Sequence, residues 1–220
     1  MSETTLKLPT SWDEVTISQW QEINGIQADT DIAKYIETIS ILADCDPEDI
    51  RQMGIREYQS LQKQTTYLSQ PLKNEVKLKI EIDGKKYGMI PHLDFITAGE
   101  WIDAETWKDQ PVDNLHLYCA LIFRPITKED GDEYEIEKHK PEGFMRRADL
   151  FKNKLPITTV YGSVLFFSAS ALQFMKVLAD FLEADQKKKT KKTVTKTKTT
   201  QKATKTNKKK PSKSRGGSTI

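Results

Sequence analysis

The residues able to do chemistry in this chain are few and scattered. Its three histidines, His92, His116 and His139, stand alone. No HExxH, no His/Cys cluster and no carboxylate–His pair at ligand spacing surrounds them. The two cysteines, Cys45 and Cys119, are far apart and sit among apolar helical neighbours. Such spacing makes neither a metal pattern nor a disulfide framework, so both are expected to be buried free thiols of a protein made in a reducing compartment. There is no nucleophile elbow and no phosphate-cradling glycine loop. Glu100, Asp103 and Glu105 lie beside Trp101 and Trp107 and read as a solvated helical face rather than an acid/base pair. Arg146-Arg147 would either grip a phosphate or pack against an acidic loop at 129–135, and Asp130-Gly131-Asp132-Glu133 reads as an exposed turn. The expectation is a protein with no catalytic set, no cofactor site and no metal site: not an enzyme.

The charged residues are more informative. Of 34 Lys and Arg, 14 follow Gln186, where there is no acidic and no aromatic residue; the other 20 face 32 Asp and Glu in 1–185, a net charge of −12. The sequence therefore divides into an acidic domain, 1–185, and a Lys/Thr-rich basic tail, 186–220. With few apolar side chains the tail cannot build a core and is expected to be disordered. Lys187, Lys188, Lys189, Lys191, Lys192, Lys208, Lys209 and Lys210 are its candidate polyanion contacts. Lysines without interleaved aromatics give point-charge contact with phosphates and no base reading. A purely solubilising extension is the alternative. The N-terminus has no apolar signal segment, no lipidation motif accompanies the tail, and membrane attachment is not expected.

The elements that must carry these residues follow from periodicity. Thr16 or Ser18 caps a helix ending near Gly25. A second helix runs from Asp29–Asp31 to about Ala43, with Ile32, Tyr35, Ile36, Ile39 and Leu42 on one face. Asp46-Pro47 starts a short third, and Ile55 to Leu68 forms a fourth. Val76, Leu78, Ile80 and Ile82 alternate with charged residues as a half-buried strand, and Asp83-Gly84 turns it into a hairpin. Residues 4–8 or 133–137 would enlarge that hairpin. Thr97-x-x-Glu100 has capping-box spacing. Val112 to Phe123 is a helix ended by Arg124-Pro125; an acidic loop runs from Thr127 to Glu133; Tyr134 to Glu137 is a short strand; and 142–152 is a helix. From Pro156 to about Ala184 a long helix presents Ile157, Val160, Tyr161, Val164 and Leu165 on one side. Its polar interruptions mark a core helix, not a membrane span. The fold class expected is α+β and mainly helical: one β-hairpin or a small antiparallel sheet, a long C-terminal helix and the basic tail. Trp12, Trp20, Trp101 and Trp107 are candidate protein-interface anchors, with ordinary core as the alternative.

The string from Leu8-Pro9-Thr10-Ser11-Trp12 to Trp20 resembles the opening of small proteins from tailed-bacteriophage structural gene clusters. Asp83-Gly84-Lys85-Lys86-Tyr87, Leu121 to Ile126, Tyr134-Glu135-Ile136-Glu137 and Gly162 to Phe167 are similar too, so the likeness spans most of residues 8–182. The family is that of the tail assembly chaperones. The resemblance implies a non-enzymatic factor of the host cytoplasm that holds helical segments of the tape-measure protein while tail tube subunits polymerise. The tail departs from that pattern; the alternative is a structural or internal protein of the virion whose basic tail contacts packaged DNA non-specifically.

Overall fold

The computed structural model describes residues 6–92, 95–173 and 176. The chain divides into two units, Met1–Ser170 and Ala171–Ile220. The first is mainly helical with a small sheet, α+β as the sequence predicts. The tail lysines named above lie outside the described residues.

Four helices come first: α1 Ile17–Gly25, α2 Asp31–Ala43, α3 Pro47–Arg51 and α4 Ile55–Gln64. Their starts are written locally. The Thr16 side chain accepts from the Gln19 N–H while the Gln19 side chain accepts from the Thr16 N–H, a reciprocal cap. Thr30 and Asp46 cap α2 and α3. A small core of Ile36, Ile39, Ile50 and Leu61 joins α2 to α4. Ile32, assigned to that face by spacing, is instead 66% exposed and packs on neither core.

The sheet is antiparallel in the order β1-β2-β3-β4, formed by β1 Lys79–Ile82, β2 Lys85–Met89, β3 Phe123–Asp130 and β4 Glu133–Ile136. Asp83 and Gly84 both take positive φ, 50° and 73°, as a two-residue hairpin requires. Three expectations change here. The first strand starts at Lys79, leaving Val76 and Leu78 exposed. Phe123-Arg124-Pro125 opens β3 directly after the helix before it, and the presumed acidic loop is the far half of β3 and its turn into β4. Local spacing could not reveal this, because the pairing that holds β3 comes from Met89, Gly88 and Tyr87 on β2.

Between β2 and β3 lie α5 Ala98–Thr106 and α6 Leu115–Ile122; α7 Phe144–Lys154 and α8, from residue 157, follow β4. Ile80, Ile82, Tyr87 and Met89 meet α6, α7 and α8 in the main core, where Phe151, Ile157 and Val160 are wholly buried. The start of α8 is stitched to the start of α1: Ile17 N–H donates to Leu155 O at 3.0 Å and Ile157 N–H to Val15 O at 2.8 Å. Leu165, placed on the core side by spacing, is 42% exposed.

Two glycines allow close approaches. Asn74 and Glu75 cross α8 directly over Gly162, where a Cβ would overlap their backbone. On the solvent face of the sheet the Tyr134 ring lies on Gly88, and its hydroxyl donates to Met89 O at 2.7 Å.

Candidate functional site

A buried set of ionisable groups lies where α5 meets the start of β3. Thr97 caps α5, and Glu100, at the third position, closes the capping box with its carboxylate. That turn faces inward, so Glu100 is 1% exposed; the expected solvated face is wrong for this residue. Its Oε2 accepts from Thr97 N and Thr97 Oγ1, both at 2.9 Å. Its Oε1 accepts from Arg124 Nη2 at 2.6 Å, a pair whose side chains are 4% and 1% exposed. His139 Nδ1 is 2.8 Å from the same oxygen, without a hydrogen-bonding partner in line among the described residues. Arg124 also donates from Nη2 to Phe95 O and from Nε to Leu121 O, each at 3.4 Å.

Arg147 comes to the same region from α7. It donates to Ala120 O from Nε at 3.2 Å and from Nη2 at 2.9 Å, and lies over the Phe144 ring. Arg146 is exposed, and among the described residues neither arginine forms an ion pair with the acidic 129–135 segment. Burial lowers the pKa of both Arg124 and Arg147 from the ordinary guanidinium value, partly offset for Arg124 by Glu100. Both oxygens of Glu100 are engaged, so the carboxylate acts as a fixed anchor for the 95–100 segment and β3. Folding brings Glu100 and His139 side by side, a proximity that sequence spacing did not show. The only advance signal was the capping box, which fixes the Glu100 rotamer.

Aromatic residues extend outward from this anchor. The Trp107 ring is perpendicular to Tyr118, with centroids 5.4 Å apart, and stacks on Phe144 at 6.1 Å. Trp12 donates its indole N–H to Gln70 O at 3.0 Å and meets Tyr67 edge-on. Trp20 meets Tyr161 edge-on. These three pack against the main core, at separate places. Trp101 differs: it is half-buried on α5, belongs to neither core and has no aromatic partner among the described residues. Its neighbour Ile102 is 63% exposed. Asp103, Glu105 and Asp109, next along the chain, are all exposed, with Glu105 paired to Lys108. The helix therefore turns the Glu100 carboxylate inward and Ile102 outward.

The remaining chemical groups are quiet. Cys119 is fully buried, which drives its thiol pKa far up, while Cys45 is partly exposed and raised by burial and then by Asp49, Asp46 and Asp44. Neither is a ready thiolate. The pKa of His116 is lowered by burial, then by Lys152; its Nδ1 is 3.2 Å from Gln21 Nε2. Among the described residues no group of three or more His, Cys, Asp or Glu could hold a metal ion. No described helix is long and apolar enough to cross a membrane. No protein family, no curated protein and no solved structure matches this chain.

Proposed function

We propose that the chain is a non-enzymatic phage assembly factor of the tail-chaperone kind. Its acidic domain holds a helical segment of a structural protein, the tape measure or the tail tube, in the host cytoplasm. What supports the reading is the outer face of α5: Ile102 is exposed beside the half-buried Trp101, on a helix that also exposes Asp103 and Glu105, in a domain of net charge −12. An apolar helix with basic flanks complements such a face in shape and charge. The test is co-expression of the full chain with the tape-measure protein of its own gene cluster. Co-purification is expected, weakened roughly tenfold or more by Ile102→Asp. Absence of any complex, or retention of the chain in purified particles at structural copy number, overturns it.

A second reading rests on the tail, with 14 cationic residues and no acidic one after Gln186. In it the chain is an internal virion protein touching packaged DNA. A steep loss of duplex binding with rising salt, absent from a variant with the tail lysines neutralised, would favour it.

A further inference from the structure

The two outer strands of the sheet differ in a way that bears on self-association. In β1 the ladder to β2 pairs Ile80 with Tyr87 and Ile82 with Lys85, and Met89 N–H donates to Leu78 O at 2.8 Å. By the alternation of an antiparallel ladder, Lys79 and Glu81 point their N–H and C=O groups the other way, to the open edge. No backbone group among the described residues meets them. One residue earlier the edge is closed: the Ser163 hydroxyl accepts from Lys77 N–H at 2.9 Å and donates to Lys77 O at 3.0 Å. The apolar face of the strand continues past the core, leaving Leu78 58% exposed.

We infer that this edge receives a second copy of the chain, β1 against β1, antiparallel about a two-fold axis through Ile80. In that register the open groups of Lys79 meet those of Glu81 of the other copy, twice over. The side chains then pair Lys79 with Glu81 on the solvent face, and Leu78 with Ile82 on the face that continues the core. Edge charges ordinarily repel another strand; here their order, Lys then Glu two residues on, makes the edge complementary to itself. Strand β4 is the contrast. Its Glu133 and Glu135 share one face, so self-pairing there sets glutamate against glutamate. Ser163 fixes the length of the contact. Beyond Leu78 the other copy has reached Asp83-Gly84 and turns back into its own sheet, leaving the edge at Lys77 to α8. One edge self-complementary and the other self-repelling gives a closed pair, not an open row. This inference does not depend on the proposed function.

The test is the mass of the full chain in solution, by light scattering across a concentration series, with circular dichroism to confirm folding. A dimer is expected. Glu81→Lys should raise its dissociation constant roughly tenfold or more, and Lys79→Glu with Glu81→Lys should restore it by exchanging the two partners. Lys79 also pairs with Glu129 at 2.9 Å, so Glu81→Lys is the primary variant. A monomer throughout, a dimer indifferent to Glu81→Lys, or a double variant that stays dissociated overturns the inference.

Discussion

The two ends of β3 carry ion pairs of opposite character. At its start Arg124 and Glu100 are paired away from water, their side chains 4% and 1% exposed. Toward its far end Glu129 accepts from Lys79 at 2.9 Å and Lys86 at 2.7 Å, with 55% of the Lys86 side chain in solvent. The strand itself runs from wholly buried to exposed along its eight residues. The chemistry is the same, a carboxylate and a cation, and burial alone changes what it does. In the interior neither partner can be lost without stranding the other. At the surface water and salt replace either one.

The largest effect should come from breaking the buried end. Glu100→Ala leaves Arg124 buried without its counter-charge and removes the Glu100 half of the α5 capping box, and should cost about 3–5 kcal/mol in urea unfolding. A loss below about 1 kcal/mol would mean that water reaches Arg124 and that the two ends are alike. Next comes Gly88→Ala. The added methyl overlaps the Tyr134 ring and must displace it from beneath Lys79, whose ammonium lies 5.5 Å from the ring centroid. About 1–3 kcal/mol should be lost, with the Tyr134–Met89 hydrogen bond; an unchanged melting temperature would show β4 free to slide.

His116 sharpens the comparison, as a half-buried group on which burial and then Lys152 outweigh the nearby Asp149. Its folded pKa is below the ordinary 6.5, so the unfolded chain binds the proton more readily. The stability it permits is complete above pH 6.5 and falls as pH drops through that value toward the folded pKa. His116→Gln should flatten the stability profile as pH falls below about 6.5, read by denaturation at each pH; an unaltered slope would place the loss on other groups. The smallest effect belongs to Glu129→Gln. Lys86 and Lys79 hold the Glu129 carboxyl below the usual range by hydrogen bonding, so its contribution is present above that range and lost as pH falls below it. Because the group is open to solvent, the change in melting temperature should vanish in high salt. A salt-independent loss would show that this end, too, is shielded.

Much of the fold is written within single turns of chain. Thr16, Thr97 with Glu100, and Asp46 before Pro47 each announce a helix start, and each cap is present, while spacing places the start of α2 at Asp29–Asp31, where Thr30 proves to be the cap. Asp83-Gly84 announces its hairpin for the same reason: the backbone conformation needed is favoured by those two residues themselves. Such signals act over three or four residues and do not depend on the rest of the molecule. What they could not say is which surfaces meet. Glu100 reads as a solvated charge because its partners, Arg124 and His139, lie far along the chain on other elements. Phe123 to Pro125 reads as the end of a helix because the strand that claims it is β2. Leu78 belongs to the apolar face by alternation, yet the core ends before it and leaves it exposed. The sequence alone determined where helices begin, where the hairpin turns, and that an acidic domain precedes a basic tail. Tertiary structure decided which charges are buried, which apolar residues face outward and which strand edge stays open, since burial depends on the elements packed around each residue.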